Sequence, residues 1–527
     1  MRRLSWVLVL SLVLIGSLGP FAPAAGKTLR WSHSGDALSM DPYATREDVT
    51  NAVLHHIYEP LVRYNINLKK EPALAISWRI VEPTVWRFNL RRGVKFHNGN
   101  PFDAEDVVTS MKRAGHPDSP FKGHLAAVAD VRKIDDYTVD FILKEPYPLL
   151  LNELTIVAIM DKEWMAEHNC LGPVDPTKGQ DSYATLHANG TGPFMLESRQ
   201  PDAKTVMKIN PNWWDKPEHN ITQMVFMPVK SDATRVAALL SGELDFILPT
   251  PLQDIERINR AKGFKVFEGY DLRTIMIMFN QAPNELFSSN IKGKNPLRDI
   301  RVRRALYQAI DIETIQKRIM RGRSRIAGQF AAPEIPGFDP MLNERYPFSP
   351  EASRKLLAEA GYPSGLELGL DCPNDRYVND EEIGQAIASM WGKVGVKVNL
   401  VAQTKSVWLK KAMDGKCDSW MIGYATLPLF DSYGWLSQVL SSKRKDRGIW
   451  NPGGYSNPRL DELVDKIAVE NDESKRLRMI SEAFKLAKED FPLVPLHQQP
   501  LAWAVREGIK VIVPPDEKPR LWYARID

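Results

Sequence analysis

Two stretches determine the fold expected for this chain: GLELGLDCPNDRYVNDEEIGQAIASMWGKVGVKVNLVA, residues 365–402, and CDSWMIGY, residues 417–424. Residues 366–370 alternate apolar and polar side chains, as a half-buried strand does. Residues 381–394 carry their apolar side chains at helical spacing, and residues 396–400 alternate again. Because the period changes from two to about 3.6 and back, the stretch predicts a βαβ unit.

Arg376 lies in the loop that leaves the first of these strands. Loops at the carboxyl ends of parallel strands are where small ligands bind in sheets of this kind. A guanidinium group stays charged at every physiological pH and presents a planar fork to a carboxylate. The sequence therefore points to a binding site for an anionic group before it points to any catalytic site.

The rest of the chain alternates short strands, helices and connections that contain proline, which predicts a mixed α/β fold with two sheets. The clearest helix signals begin at Asp103, Asp299, Ser349-Pro350 and Asn457-Pro458, the last of them running to about Asp490. Two continuous apolar runs, residues 273–280 and 494–505, suit strands that are buried on both faces.

The chain has 527 residues and a mass of 59.7 kDa, which exceeds what one hydrophobic core usually supports, so two or three domains are expected. Apolar residues make up 43% and charged residues 25%, as in a folded globular protein.

Residues 1–25 have the features of a secretory signal peptide. Arg2 and Arg3 precede an apolar run over residues 6–18, and Ala22-Pro23-Ala24 supplies a cleavage site. A membrane anchor is less favoured, because the run is shorter than the roughly 20 residues that span a bilayer. No cysteine lies near the cleavage site, so we expect no lipid attachment and a soluble exported protein.

Removal of Arg2 and Arg3 leaves 67 basic against 65 acidic residues, a balance that does not favour nucleic acid or an anionic membrane surface as a partner. Only three cysteines are present, so at most one intramolecular disulfide can form. Cys372 and Cys417 are either bridged or buried as free thiols.

Common catalytic signatures are absent from the sequence: there is no HExxH, GxSxG, GxxxxGK[ST] or GxGxxG motif. His55 and His56 are adjacent and would point in different directions from a helix, which makes them a poor pair of metal ligands. We therefore predict no catalytic residue, no metal site and no cofactor. Since sequence alone cannot pair two carboxylates across a cleft, a secreted hydrolase remains an alternative.

Several short motifs, in a fixed order over about 450 residues, resemble those of solute-binding proteins of bacterial ABC importers. The resemblance is to family 5, which includes dipeptide-, oligopeptide-, glutathione- and nickel-binding proteins. The matching segments are residues 38–42, 57–62, 86–88, 92–99, 103–111, 190–194, 210–214, 301–310, 374–377 and 454–458.

The resemblance implies a cluster-C (type II) periplasmic-binding-protein fold, with two lobes joined by a two-strand hinge. The large lobe would comprise residues 26–272 and 490–527, with an inserted subdomain at about 65–190. The small lobe would comprise residues 273–489. The two apolar runs fall where the hinge strands are expected.

The same resemblance implies that Arg376 engages a ligand carboxylate and that Asp431 engages a ligand ammonium. Tyr424 and Trp435 flank the second loop, where they are expected either to stack on the ligand or to belong to the core. Residues 427–430, Leu-Pro-Leu-Phe, replace the small and polar residues that many relatives carry, which makes a plain dipeptide ligand less certain.

The function expected from the resemblance is that of a monomeric periplasmic solute-binding protein, which delivers a peptide or peptide-like zwitterion to a membrane permease without any reaction. Receptors for a nickel chelate or an oligosaccharide are the alternatives within this class of protein.

Overall fold

The computed structural model describes residues 26–427 and 429–527. The predicted signal peptide, residues 1–25, lies outside the described residues. Within them, none of the helices combines the length and the apolar character needed to cross a bilayer.

The strands are short except for two. They are β1 (Thr28–Ser32), β2 (Val62–Tyr64), β3 (Lys70–Pro72), β4 (Ala75–Glu82), β5 (Val85–Leu90), β6 (Val128–Asp135), β7 (Thr138–Leu143), β8 (Phe194–Gln200), β9 (Lys204–Ile209), β10 (Gln223–Phe226), β11 (Phe246–Ile247), β12 (Phe264–Phe279), β13 (Arg325–Ile326), β14 (Leu366–Pro373), β15 (Val396–Gln403), β16 (Ser419–Tyr424), β17 (Leu493–Arg506), β18 (Ile509–Lys510) and β19 (Arg525–Ile526).

Helices alternate with these strands throughout. They are α1 (Asp48–Leu54), α2 (Ala104–Ala114), α3 (Leu150–Leu154), α4 (Lys162–Glu167), α5 (Asp232–Leu240), α6 (Ile255–Arg260), α7 (Ile300–Gln308), α8 (Ile312–Thr314), α9 (Pro350–Glu359), α10 (Asp380–Gly392), α11 (Lys405–Met413), α12 (Tyr433–Trp435), α13 (Pro458–Val469) and α14 (Glu473–Asp490). The long helix expected from Asn457 is thus two helices, because the chain turns between Val469 and Glu473.

The βαβ unit predicted from the sequence is confirmed. Strands β14 and β15 pair in parallel from Leu366 opposite Val396, and β16 joins the other side of β14, also in parallel. Helix α10 connects β14 to β15 and buries Ile383, Ile387 and Trp391. Its three apolar side chains recur at helical spacing, so the same pattern that predicts the helix also fixes the face that packs on the sheet.

A single eleven-stranded mixed sheet forms the centre of the molecule, in the order β15-β14-β16-β12-β17-β11-β1-β10-β9-β8, with β13 paired to β17. The expectation of two sheets is wrong for this central part. Strands β12 and β17, of 16 and 14 residues, hydrogen-bond to each other and to strands on both sides. Their length joins what would otherwise be two sheets into one.

The apolar run in β12 is buried on both faces, as the sequence predicts. Ile275, Ile277 and Phe279 belong to one hydrophobic cluster, whereas Met276 and Met278 belong to another. Because successive side chains of a strand point to opposite faces, the continuous apolar run reports a strand enclosed between two cores.

A separate four-stranded antiparallel sheet, in the order β4-β5-β7-β6, lies within the segment expected to form the inserted subdomain. Helix α2 follows its first hairpin and begins with a capping box, in which Asp103 accepts from the Glu105 backbone N–H at 2.7 Å and Asp106 accepts from the Asp103 N–H at 2.9 Å.

All three cysteines, Cys170, Cys372 and Cys417, are buried free thiols. Of the two alternatives left open by the sequence, the structure therefore has unbridged thiols. Burial raises the pKa of Cys372 to about 12, with the nearby carboxylates of Asp380 and Glu381 adding to the shift, so this thiol is protonated and unreactive at neutral pH.

Candidate functional site

A cavity of about 820 Å³ lies along β12 and β17, between the loop that follows β14 and residues that follow β1 and β11. This volume is in the range of small-molecule sites. The cavity is lined by His33, Ser34, residues 46–49, Asp232, residues 248–253, Arg273, residues 375–379, Lys405, residues 499–503 and Glu517.

The loop that carries Arg376 is held in place by hydrogen bonds to its backbone. Asp380 accepts from the N–H groups of Arg376 and Tyr377, at 3.0 and 2.9 Å. The Val378 N–H donates to Gln499 Oε1 of β17 at 2.9 Å, which connects the loop to the central sheet. Since the backbone is fixed on both sides of Arg376, its side chain starts from a defined position on the cavity wall.

The guanidinium of Arg376 makes no hydrogen bond and no ion pair with any residue of the described ranges. Its side chain is exposed at the cavity, with the ring of Tyr377 at 5.3 Å as its neighbour. An unpaired guanidinium on a fixed backbone can bind a carboxylate without first breaking a contact within the protein.

Besides Arg46, Arg273 on β12 brings a further guanidinium to the same cavity. Its Nε lies 3.3 Å from Asp271 Oδ2, and the side chain is 14% exposed. Gly423 of β16 lies beneath it, where a Cβ would come within 2.8 Å of Arg273 Cδ. The absence of a side chain at Gly423 therefore leaves room for the Arg273 side chain to lie over β16.

The cavity wall also carries carboxyl groups, among them Glu517 and Asp48. Burial, with the neighbouring Asp271 carboxylate, raises the pKa of Glu517 to about 8, while Arg273 acts in the opposite direction. Glu517 also has a left-handed backbone, with φ of 61°, which is unfavourable for a non-glycine residue. With a pKa of about 8, Glu517 is largely protonated at neutral pH. The negative charge that the cavity presents beside its guanidinium groups, as recognition of a zwitterion requires, therefore comes from residues such as Asp48.

We expect Glu517→Gln to stabilise the protein at high pH. The folded-state pKa is about 8 against an ordinary 4.5, so ionisation of Glu517 destabilises the fold progressively as the pH rises from about 4.5 through 8. Glutamine mimics the protonated carboxyl group and removes this loss. Differential scanning calorimetry should show equal Tm values near pH 4.5 and a Tm about 1–3 °C higher for the variant at pH 9.

Glu462→Gln is the control for that measurement, because Glu462 is exposed and does not line the cavity. Its Tm should follow the unmodified protein at every pH. A Glu517→Gln protein that loses stability at pH 9 would contradict the assignment of a protonated, buried Glu517.

Asp431, for which the resemblance implies a contact with a ligand ammonium, is ion-paired within the protein. Its carboxylate makes a two-pronged ion pair with Arg476 of α14, with N–O distances of 2.7 and 2.8 Å, and both side chains are buried. Asp431 also accepts from the Tyr433 N–H at 2.8 Å. Asp431 does not line the cavity that contains Arg376. Its oxygen atoms are hydrogen-bonded to a neighbouring helix and to its own loop.

Tyr424 and Trp435 pack against each other, with ring centroids 4.9 Å apart. Trp435 is fully buried, and the Tyr424 hydroxyl donates to the Gly434 carbonyl at 3.2 Å. Neither residue lines the cavity around Arg376. Of the alternatives that the sequence leaves open for them, this arrangement favours packing.

Leu429 and Phe430, in the unusual segment around residues 427–430, contact residues from the first third of the chain. The Tyr64 hydroxyl donates to the Leu429 carbonyl at 3.0 Å, the Asn152 amide donates to the same oxygen, and the Tyr64 ring lies 4.4 Å from that of Phe430. Lys70 Nζ in turn donates to Asn152 Oδ1 at 2.9 Å. Leu429 and Phe430 therefore connect the loop after β16 to Tyr64 and Asn152.

The described ranges hold one group of carboxylates close enough to share a metal ion: Asp106, Asp161 and Glu163, whose oxygen atoms lie within 4.8 Å of one another. Lys162 already supplies a cation there, with Nζ 3.0 Å from Glu163 and 3.6 Å from Asp106. Asp161 also accepts from three asparagine amides. The charge and hydrogen-bonding capacity of the cluster are thus used without an ion.

Sequence reasoning missed Arg273, Glu517 and Asp48 as cavity residues. Arg273 stands at the start of an apolar run, where a cation on a buried strand is a usable signal. Glu517 and Asp48 are about 470 positions apart and lie in stretches without a distinctive pattern, so nothing in the sequence brings them together.

Comparison with known proteins gives a consistent assignment. The family model for the bacterial extracellular solute-binding proteins, family 5 (middle region), matches residues 69–446. The chain is 26% identical to the dipeptide-binding protein of Escherichia coli over 93% of its own length and 92% of that protein. It is also 26% identical to heme-binding protein A of Haemophilus influenzae, over 85% and 82% of the two lengths.

The fold agrees with the solved structure of HbpA2 from Haemophilus parasuis, with a TM-score of 0.80 and 22% identity over 95% of this chain and all of that one. The type II periplasmic-binding-protein fold expected from the sequence is therefore confirmed. The names of the two sequence relatives differ in the ligand that they state, so similarity alone does not select one.

Proposed function

This chain belongs to family 5 of the bacterial extracellular solute-binding proteins, and from that premise we propose that it captures a peptide or peptide-like zwitterion in its central cleft. Arg376 binds the ligand carboxylate, the Asp48 carboxylate supplies the negative charge for the ligand ammonium, and the protonated Glu517 carboxyl group offers its carbonyl oxygen as a hydrogen-bond acceptor. The observation that carries this proposal is the unpaired guanidinium of Arg376, which shares a cavity of about 820 Å³ with these acidic groups.

Lobe closure is part of the proposed mechanism. The large lobe comprises residues 26–272 and 490–527, with an inserted subdomain at about 65–190, and the small lobe comprises residues 273–489. Strands β12 and β17 serve as the hinge, which is supported by their position at the middle of the central sheet. Closure excludes water from the ligand's charged ends and so strengthens their contacts.

Family membership places the protein with ABC importers, and we propose that a monomer delivers its solute from the periplasm to a permease. The signal peptide at residues 1–25 directs its export. Its relatives are binding proteins, and in this proposal the ligand leaves chemically unchanged, which separates it from the secreted hydrolase considered above.

Mass spectrometry of the solutes released from denatured, freshly purified protein tests this function. We expect a peptide or another zwitterion, and we expect the recovered compound to raise the Tm when it is added back, because a ligand that binds only the folded state stabilises it. Recovery of a metal alone, with no effect of di- to pentapeptides on Tm, would refute a peptide-like ligand.

A further inference from the structure

A second, smaller cavity of about 110 Å³ lies on the other side of α1 and of residues 516–518. Its walls are rich in aromatic and aliphatic side chains. They include Leu54, Tyr58, Tyr64, Ile156, Trp213, Phe430 and Trp522. Phe430 belongs to the small-lobe segment, whereas the other residues belong to the proposed large lobe.

Some hydrogen-bond donors of the lining residues lack a protein partner among the described residues: the Tyr58 hydroxyl, the Trp522 indole N–H and Lys518 Nζ are of this kind. The last two are nitrogen donors. The indole N–H of Trp522 is buried, with the residue 8% exposed, and no acceptor among the described residues reaches it. Lys518 Nζ makes no hydrogen bond and no ion pair within the same ranges, although its backbone N–H is bonded to Asp516. Both groups lose hydration in the fold without gaining a protein acceptor.

The other charged groups of the cavity are satisfied. Arg520 forms a two-pronged ion pair with Asp516, at 2.7 and 2.8 Å. Glu59 accepts from the indole N–H groups of Trp213 and Trp214, at 3.0 and 2.6 Å. The ammonium of Lys518 is therefore the uncompensated charge of this lining within the described residues.

We propose that this cavity is a second binding pocket, separate from the cleft at Arg376, for a compact aromatic carboxylate. The aromatic walls and the volume suit a single ring, and the carboxylate supplies the acceptor and the negative charge that Trp522 and Lys518 lack. A buried, charge-assisted contact to Lys518 supplies most of the selectivity for an anion over a neutral ring.

Phe430 links this pocket to the interlobe contact. It packs on Tyr64, whose hydroxyl donates to the preceding carbonyl of Leu429. A ring that fills the pocket adds a contact to Phe430 and so favours the arrangement in which the two sides meet. This consequence rests on the proposed function, because it assumes that the lobes open and close, whereas the pocket itself does not.

Benzoate is the probe for the test, with isothermal titration calorimetry on the whole protein. We expect saturable binding of one benzoate, at least a tenfold weaker affinity for Lys518→Met, and no measurable binding to Ile156→Trp, whose ring fills the cavity. Lys518 is only partly buried, so Lys518→Met keeps the test decisive if Ile156→Trp fails to fold.

Arg376→Ala separates this pocket from the cleft and should retain its benzoate affinity. The proposal is overturned if benzoate does not bind at millimolar concentration. It is equally overturned if Arg376→Ala abolishes binding while Lys518→Met leaves it unchanged, since benzoate would then occupy the cleft. Failure of the peptide-like ligand in the cleft would leave the expected benzoate results unaltered.

Discussion

Replacement of Arg376 by alanine is expected to raise the Kd for a carboxylate-bearing ligand about 10- to 150-fold, which corresponds to the loss of a charged hydrogen bond of about 1.5–3 kcal/mol. The effect should be large because the Arg376 guanidinium has no protein partner in the described residues and because its loop is fixed by Asp380 and Gln499. Isothermal titration calorimetry with the compound recovered from the protein measures it.

Two further variants define the cause of that loss. Arg376→Lys keeps the charge but not the planar fork, so we expect an intermediate affinity. Arg354→Ala removes an exposed arginine of α9 that does not line the cavity, and its affinity should match the unmodified protein. Unchanged affinity in Arg376→Ala would remove Arg376 from the binding site.

The second large effect is expected on stability. Asp431→Ala should lower the free energy of unfolding by about 3–5 kcal/mol, because it leaves the buried guanidinium of Arg476 without its counter-ion. Urea denaturation monitored by circular dichroism measures the change. Glu313→Ala is the matched control, since it breaks the exposed pair with Lys317 and should alter stability by no more than about 0.5 kcal/mol.

The same pair decides between the two roles of Asp431. The double variant Asp431→Leu with Arg476→Met replaces both charges by apolar groups and should recover most of the lost stability. If Asp431 serves only this ion pair, the double variant keeps its ligand affinity. A tenfold or greater loss of affinity in a stable double variant would instead support the contact with a ligand ammonium that the sequence resemblance implies.

Much of the fold could be predicted because it rests on local patterns. The change of period over residues 366–400 reports β14, α10 and β15, and the apolar run from Ile275 to Phe279 reports a strand buried on both faces. Helix starts at Asp103 and Ser349 are read from side chains that cap the helices in the structure. Each of these features depends on residues a few positions apart.

Local sequence patterns could not predict that the strands of the central part join into one sheet. Strands β12 and β17 are separated by more than 200 residues, and their pairing depends on where the whole chain returns. The sequence shows two apolar runs of suitable length. It does not show that they hydrogen-bond to each other and extend to strands on both sides.

The sequence by itself determined the class of fold, the family and the position of Arg376 at the carboxyl end of a parallel strand. These follow from periodicity and from the order of short motifs. Only the tertiary structure decided which groups share a cavity with Arg376: it placed Asp48 and Glu517 there, and it paired Asp431 with Arg476. The reason is physical, because the ionic partner of a side chain is set by distances of a few ångströms that folding creates between remote segments.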